Sequence, residues 1–466
     1  ACLVGSEMCI RDRTKSAEKL YMSYAVKNSE GAALMPSYII RSMRKMFSHC
    51  LKLSYKDTAQ QNSYVTIPQA SFSFDNTETA ANVDEDIIDS LTGGRLVGSV
   101  TSFENFAECP LRYYLRYGVD LKEREEFTFS PVNFGVVLHA VIREVCDEIK
   151  KNGESYYLIS EEKRREMVKR SVAAITDIYQ NSILKDSSRN SFMIKRMEDL
   201  ADRTIWAMGE QLKCGDFVPF VFEHKFNMEV GDGDRKQLMS GTIDRVDICE
   251  NDTDVYVRII DYKTGKKDFN IVKTYYGIDI QLMVYMEAAM KLVAKMRPGK
   301  NVIPAGVFYY NISDPIVSAT TESAEEIEDK IKGELRLKGM VNSDKDIAEK
   351  MDNTEGTSLN IPVSRKADGG FDSRRSKVMN TEQFNMLGRF VDVRAVDTAD
   401  RIAGGDIRRS PYKDGQFSSC DRCPYGAVCG FSVDLPGCNY RKLKKFDDEI
   451  LWNLSLIHIS EPTRQA

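Results

Sequence analysis

The sequence has little of several features that would point directly to a function class. It contains four histidines and two tryptophans among 466 residues, and its net charge is only −5. No apolar run approaches the roughly 18 residues of a membrane-spanning helix, and no signal peptide is apparent. The small net charge excludes nucleic-acid binding through an overall basic surface, although a local groove can still be basic. We therefore expect a globular protein of the cytoplasm that does not bind a membrane.

Cysteine, by contrast, is abundant for a protein of a reducing compartment, with eleven residues. Three of them follow the spacing Cys420-x2-Cys423-x5-Cys429, which is typical of a metal or iron–sulfur site. Three thiolates leave such a site one ligand short. The candidates for the fourth ligand are Cys438, which is nearby in the sequence, and the distant Cys109.

The length of the chain is enough for about two or three domains. A polar stretch predicts a domain boundary near residues 90–97. Residues 1–13 and 454–466 resemble translated adaptor DNA, so we expect them to be non-native tails. We also expect the native sequence between them to be a fragment, truncated on its N-terminal side.

The stretch from Gly241 to Lys263 has the pattern of a β-hairpin, with two β-prone runs around the polar turn at residues 251–253. Asp261 and Lys263 are expected on one face of the second strand, because side chains alternate with period two. Asp244 lies on the first strand. Two carboxylates and an ammonium in this arrangement suit a hard divalent cation and a water molecule beside a phosphodiester.

Two predicted helices carry further candidates. His139 lies on a helix from about residue 133 to 150, one turn after Gly135, where the backbone can be approached closely. Gln281 and Tyr285 lie four residues apart, on one face of a helix predicted over about 272–296. Glu223, on a strand predicted over 218–230, is a weak candidate for orienting a group in the site.

A helix is predicted from Thr101 to about residue 118, with Thr101 and Glu104 as a capping box. Its Arg112, Tyr113 and Arg116 interleave cations with an aromatic ring, which suits a phosphate backbone and stacked bases. Elsewhere we predict helices at about 160–180 and 191–213, a strand at 303–311, and helical stretches at 321–355 and 380–403.

In this order the motifs resemble those of the RecB-like nucleases in the PD-(D/E)xK superfamily, and over residues 15–450 the chain resembles the C-terminal part of the AddB family. That family comprises the B subunits of bacterial ATP-dependent helicase–nucleases, which resect double-strand breaks. The matching motifs are Gly135-x3-His139, Gly241-x2-Asp244, Asp261-x-Lys263 and Gln281-x3-Tyr285. The phosphate-binding spacing GxxxxGK[ST] of an ATPase is absent from this chain.

The resemblance implies an α/β (α+β) restriction-endonuclease-like core, in which a central mixed sheet is flanked by helices, with helical insertions and an iron–sulfur staple. It implies that residues 14–96 are the end of a helicase-like region with a linker, and that residues 97–450 are the nuclease domain. The implied function is exonuclease action on the 5′-terminated strand in DNA repair and recombination. The implied partners are DNA and an AddA-type helicase–nuclease subunit.

The resemblance also implies the roles of individual residues. Mg²⁺ or Mn²⁺ would be held by His139, Asp244, Asp261 and the carbonyl group of Tyr262. Lys263 would orient the attacking water, with Gln281 and Tyr285 positioning Lys263 or the DNA strand. The [4Fe–4S] ligands would be Cys109, Cys420, Cys423 and Cys429, which leaves Cys438 out.

Three alternatives remain at this point. A stand-alone exonuclease of the CRISPR-adaptation type has a similar core and cysteine framework, but the long helical insert at 150–215 argues against it. A non-catalytic iron–sulfur protein that only binds DNA is disfavoured by the intact set of Asp244, Asp261 and Lys263. A structural zinc protein would contain zinc and no iron.

Overall fold

The computed structural model describes residues 82–83, 97–122, 131–178, 188–230, 237–318, 322–433 and 438–444. Contacts divide the chain into residues 1–75 and 76–466, and every described residue belongs to the second unit. The predicted tails and most of the predicted helicase-like region lie outside the described residues. Within the described part of the chain, no helix combines the length and apolar character that crossing a bilayer requires.

The secondary structure alternates between helices and strands. The strands are β1 (Val97–Ser99), β2 (Val218–Val230), β3 (Gln237–Glu250), β4 (Asp254–Lys263), β5 (Asn301–Asn311), β6 (Lys338–Asn342), β7 (Val378–Met379), β8 (Tyr412–Asp414), β9 (Phe417–Ser418) and β10 (Arg441–Lys442). The helices are α1 (Val100–Glu108), α2 (Pro110–Tyr113), α3 (Pro131–Lys151), α4 (Glu161–Ile178), α5 (Ser188–Lys213), α6 (Ile271–Tyr275), α7 (Gln281–Met296), α8 (Ala324–Glu334), α9 (Lys345–Met351), α10 (Thr381–Ala403) and α11 (Gly426–Cys429), and a π-helical turn covers Tyr114–Gly118.

A mixed sheet of seven strands forms the centre, in the order β1-β3-β4-β5-β6-β7, with β2 paired to β3. The predicted hairpin of β3 and β4 is confirmed. Its turn is fixed by Asn251, whose Oδ1 accepts the backbone N–H groups of Thr253 at 2.9 Å and Asp254 at 2.7 Å. Strand β4 continues in parallel with β5, so the hairpin lies in the middle of the sheet.

Helices cover both faces of this sheet, and β4 shows how the faces divide. Tyr256, Ile260 and Tyr262 join the apolar core under α3, α4 and α5. The alternate residues Val257 and Ile259 join the core under α1, α7 and α10. With period-two alternation, Asp261 and Lys263 fall on the second face, towards α7. The predicted layered α/β fold with a mixed central sheet is confirmed.

Some predicted boundaries are wrong for local reasons. The single helix predicted from Thr101 ends at Glu108, because the residue before a proline is pushed towards extended backbone and Pro110 starts a new helix. The predicted capping box is also wrong, since the helix begins at Val100. Its N-cap is Ser99, whose Oγ accepts the N–H of Ser102 at 3.1 Å.

Two more helical predictions are interrupted. The helix predicted over about 272–296 is two helices, α6 and α7, separated by Gly277 in the left-handed region at φ +75°. The charged stretch predicted as helical over 321–355 contains strand β6, which pairs with β5. The predicted strand at 218–230 and the helix at 380–403 are confirmed to within one residue.

Candidate active site

Three carboxylates lie side by side across neighbouring strands. The residues on either side of Glu223 in β2 pair with the residues on either side of Asp244 in β3, so these two acids are opposite each other. Continuing the pairing of β3 with β4 places Asp244 opposite Asp261. Asp244 Oδ2 also accepts the backbone N–H of Tyr262 at 2.6 Å, which fixes its carboxylate against β4.

His139 reaches the same carboxylates from helix α3. Its Nδ1 lies 3.4 Å from Asp244 Oδ1 and 3.5 Å from Glu223 Oε1. One ligand atom from each of these three residues lies within 4.8 Å of the other two, and no other such group of three occurs among the described residues. The imidazole also packs edge-to-face on Tyr262, with 5.9 Å between the ring centres. The predicted contact of His139 with Asp244 is therefore present, whereas the predicted ligand Asp261 is not a member of this close group.

Glu223 is the site residue that sequence reasoning undervalued. It has φ +47°, a left-handed conformation that is uncommon for a residue with a side chain, and a register shift occurs a few residues earlier in β2. Strain of this kind costs about 1–3 kcal/mol and is concentrated at functional sites. The signal that would have found Glu223 is its position opposite Asp244, which depends on the strand register.

The second half of the site is a chain of polar contacts from the sheet to helix α7. Lys263 Nζ lies 2.5 Å from Asp261 Oδ2 and donates to Gln281 Oε1 at 2.9 Å. Gln281 Nε2 donates in turn to the Tyr285 hydroxyl at 2.9 Å. The predicted Asp-x-Lys and Gln-x3-Tyr pairs therefore meet, and together they hold the lysine ammonium in one place.

Electrostatics in the site favour a cation. Burial alone lowers the pKa of His139, but the carboxylates of Asp244 and Glu223 outweigh burial and raise it to about 10. Burial and then the neighbouring Asp244 raise the pKa of Asp261 to about 7. Apart from the Lys263 ammonium, no group in the described residues donates to Asp261 Oδ2. Oxygen-rich donors with one imidazole are a suitable ligand set for Mg²⁺ or Mn²⁺.

Packing requires glycine at Gly241 but not at Gly135. A Cβ on Gly241 would lie 2.7 Å from the ring of Phe226 and 3.0 Å from the ring of Tyr285, so only glycine lets these two rings pack together. A Cβ on Gly135 would meet Thr264 at 3.6 Å, an ordinary contact. The close backbone approach predicted at Gly135 is therefore not seen among the described residues.

The predicted DNA-binding face after Cys109 is only partly exposed. Tyr113 is 8% exposed and packs edge-on against Phe106, with 5.6 Å between ring centres. Arg112 is paired with Glu108. Arg116 is exposed, and its guanidinium lies over the ring of Tyr117. Binding of DNA by Arg112, Tyr113 and Arg116 stays a prediction, with Arg116 the most accessible of the three.

The cysteine motif converges with Cys109, far away in the sequence. Burial raises the pKa of the Cys420 thiol, and the thiols of Cys109, Cys423 and Cys429 raise it further. Burial and Cys423 raise the pKa of Cys109, and burial, Cys109 and Cys423 raise the pKa of Cys429. No three of the four sulfurs lie within 4.8 Å of one another, whereas thiolates around one zinc ion lie about 3.8 Å apart, given Zn–S bonds of about 2.3 Å. The four sulfurs therefore do not form a preformed zinc site.

Backbone donors surround Cys109 within this cluster. The backbone N–H groups of Arg112, Ser410 and Leu111 lie near its sulfur and offset part of the rise in pKa that burial causes. Tyr440 forms a side-chain hydrogen bond with Cys420, which likewise lowers the pKa of that thiol. Hydrogen bonds to sulfur favour the charged thiolate, which is the form that binds metals.

A family model described as the PD-(D/E)XK nuclease superfamily matches residues 98–430, which include all four motifs and Cys109, Cys420, Cys423 and Cys429. The chain belongs to this superfamily. The restriction-endonuclease-like fold that the resemblance implies is thereby confirmed.

Curated relatives agree with the predicted resemblance. Proteins named as the B subunit of an ATP-dependent helicase/deoxyribonuclease are 30% identical in Clostridium acetobutylicum and 31% identical in Caldanaerobacter subterraneus, over 96% and 97% of this chain. The protein of that name in Lachnoclostridium phytofermentans is 34% identical over 79% of the chain. The chain spans 44%, 44% and 32% of these relatives, which is less than half of their length.

Proposed function

We propose that this PD-(D/E)XK domain hydrolyses phosphodiester bonds of DNA with a divalent cation. The observation that supports the proposal best is that Asp244 contacts His139 and lies opposite Asp261, which is paired with the ammonium of Lys263. A structural ion-pair network has no need of two neighbouring buried carboxylates, because their mutual repulsion destabilises the fold. Such an arrangement is common where charge is offset by a bound ion.

We assign the cation to the predicted ligands His139, Asp244, Asp261 and the carbonyl of Tyr262, with Glu223 as an additional carboxylate beside them. Asp244 is central to the assignment, since it contacts His139 and lies opposite both other acids. A Mg²⁺ or Mn²⁺ ion held by these residues would lower the pKa of a bound water and polarise a phosphoryl oxygen. Because Asp244 and Glu223 raise the pKa of His139 to about 10, cation binding would require its imidazole to lose a proton.

The remaining residues act on the water and the phosphate. Lys263 is held by Asp261 and by Gln281, so its ammonium is fixed before DNA arrives. From that position it orients the attacking water and stabilises negative charge that develops on the phosphoryl group. Tyr285 limits the rotation of the Gln281 side chain through its hydrogen bond, and thereby keeps the lysine in place.

The larger biological role follows from the relatives. Their name describes one subunit of an ATP-dependent helicase/deoxyribonuclease. We extend this to the present chain as the nuclease part of such a protein, acting with an AddA-type helicase–nuclease subunit in double-strand break repair and recombination. Exonuclease action on the 5′-terminated strand and location in the cytoplasm belong to the same proposal.

Cleavage of end-labelled DNA tests this function. The purified chain, alone and with an A-type partner, is expected to release nucleotides in Mg²⁺ or Mn²⁺ and none in EDTA. If the 5′-terminated strand is degraded, a 5′ label should appear in short products before a 3′ label does. The reverse order would contradict the proposed polarity. Tight DNA binding without any metal-dependent release would instead support the non-catalytic alternative.

We also propose that Cys109, Cys420, Cys423 and Cys429 hold a [4Fe–4S] cluster that ties helix α1 to the C-terminal loop. The four thiols converge, and no three of their sulfurs are as close together as thiolates around one zinc ion. The tie spans about three hundred residues, and closing so long a loop restricts the unfolded chain strongly. Nothing in phosphodiester hydrolysis consumes an electron, so a structural role is the simpler assignment.

Replacing Cys420 with alanine is expected to remove absorbance near 400 nm and to lower the melting temperature. Cys438 is the matched control, because it is buried nearby but lies outside the proposed ligand set. Protein purified without oxygen should contain iron rather than zinc by elemental analysis. A colourless wild-type protein, or equal loss of iron in Cys420→Ala and Cys438→Ala, would contradict the assignment.

A further inference from the structure

Helix α7, which carries Gln281 and Tyr285, begins without a cap of its own. Its N-cap residue is Ile280, whose side chain cannot accept a hydrogen bond. The first N–H groups of a helix have no partner within the helix, and leaving them unpaired costs about 0.5–2 kcal/mol. Some other part of the chain must therefore satisfy them.

Glu104 on helix α1 supplies the missing acceptor. Its Oε1 accepts the N–H of Ile280 at 2.9 Å and the N–H of Gln281 at 3.0 Å, across 176 and 177 residues of sequence. A carboxylate at a helix N-terminus is also favoured by the helix dipole. Glu104 is thus a cap that comes from a different element of the fold.

The carboxylate of Glu104 is itself held in a polar cluster. Burial raises the pKa of Glu104 to about 7, and the nearby Lys267 ammonium counteracts part of that effect. Lys267 lies 3.0 Å from Asp279 Oδ1, and the Tyr309 hydroxyl donates to the same oxygen at 2.6 Å. These contacts restrict the groups around the start of α7 to one arrangement.

Glu104 holds the backbone of Gln281, and the side chain of Gln281 holds the proposed catalytic residue Lys263. The backbone N–H of Gln281 is bonded to Glu104, while its side chain accepts from Lys263 at 2.9 Å. A shift of the first turn of α7 would therefore move Gln281 Oε1 away from the lysine ammonium. Errors of about 1 Å in such positions can cost on the order of a hundredfold in rate.

We propose that Glu104 is a positioning residue for DNA hydrolysis, which sets the start of α7 and through Gln281 the place of Lys263. The inference rests on the proposed nuclease function. It also links the two sites of the protein, because α1 is followed directly by Cys109, a proposed cluster ligand. Helix α1 thus carries Glu104 and ends at a proposed cluster ligand.

Kinetics of Glu104 variants test the proposal. Glu104→Ala is expected to lower kcat for DNA cleavage about 10–100-fold. The KM for DNA should not change, because the displaced lysine acts in the chemical step and not in DNA binding. Glu104→Gln keeps an oxygen acceptor at the same place and should retain most of kcat. Glu104→Met keeps the volume without the acceptor and should lower kcat as Glu104→Ala does. It serves as the test variant if the smaller alanine impairs folding.

Glu382 provides the matched control, as an exposed glutamate in the first turn of α10, another helix N-terminus. Glu382→Ala should leave kcat unchanged. Hydrogen exchange gives a second readout that does not depend on activity. The peptide that contains Ile280 and Gln281 should exchange faster in Glu104→Ala and Glu104→Met than in the wild type, while peptides from β4 stay protected.

Unchanged kcat and unchanged exchange in Glu104→Met would overturn the proposal, and so would a loss in Glu104→Gln as large as that in Glu104→Met. The two hypotheses fail in different ways. If the wild type does not cleave DNA, the nuclease function fails, yet faster exchange at Ile280 and Gln281 still supports Glu104 as the cap. If the wild type cleaves and the variants do too, only the positioning role fails.

Discussion

Lys263→Ala is expected to reduce DNA cleavage by about 10²–10³-fold, with little change in the affinity for DNA. The ammonium lies 2.5 Å from Asp261 Oδ2 and is bonded to Gln281, so it is fixed at the point where charge develops during hydrolysis. A donor that acts mainly in the transition state affects kcat more than KM. Single-turnover cleavage of labelled DNA measures the effect directly.

Lys266 is the matched control for this prediction. It is exposed, three residues further along the chain, and carries the same charge. Lys266→Ala should cleave DNA at nearly the wild-type rate, while Lys263→Ala should bind DNA and melt as the wild type does. Full cleavage by Lys263→Ala would remove the lysine from the mechanism, and equal losses in both variants would indicate only a general effect of basic charge.

The second large effect concerns stability and the buried charges behind the site. Asp247 accepts from Arg245 Nη2 at 2.6 Å and from Arg258 Nε at 2.9 Å, and all three side chains are at most 1% exposed. Arg258 lies over the ring of Phe217, and its two terminal nitrogens have no hydrogen-bond partner among the described residues. Asp247→Ala would leave two buried cations without their shared anion, and we expect a loss of about 3–5 kcal/mol in the free energy of unfolding.

Urea unfolding measures this loss, with Asp252→Ala in the exposed hairpin turn as the control. Burial alone would raise the pKa of Asp247, but Arg245 and Arg258 outweigh burial and lower it. The stability from Asp247 is therefore present above the pKa of the unfolded carboxyl, about 4, and is lost as the pH falls through the lower folded value. The difference in the free energy of unfolding between the wild type and Asp247→Ala should therefore decrease in strong acid. A loss below about 1 kcal/mol at neutral pH would contradict the account, since exposed ion pairs are worth no more than that.

The parts of the fold that depend on local chemistry could be predicted from the sequence. The turn at Asn251 and the β-branched run after it predict the hairpin, and the hairpin places Asp261 and Lys263 on one face. The spacing of Gln281 and Tyr285 predicts their contact on a helix. These interactions join residues that are close in sequence, so the local sequence pattern is enough to predict them.

Other features depend on contacts that no local pattern specifies. Glu223 enters the site only because β2 pairs with β3 in one register, and a shift of one residue would turn its side chain to the other face. The sequence pattern predicts a local cap from Glu104, whereas its carboxylate caps a helix more than 170 residues away. Cys109 can be assigned to the cysteine motif from the family resemblance but not from spacing. The end of helix α1 before Cys109 could have been predicted from the sequence, because Pro110 disfavours helical backbone at the residue before it.

The central claim is that one divalent cation binds between His139, Asp244 and Asp261. Anomalous scattering from crystals of the chain grown with Mn²⁺ tests this most directly, with Asp244→Asn as the comparison. The account predicts a manganese peak within bonding distance of these three side chains, and no such peak in Asp244→Asn. A wild-type crystal with no peak there, or with the same peak retained in Asp244→Asn, would contradict it.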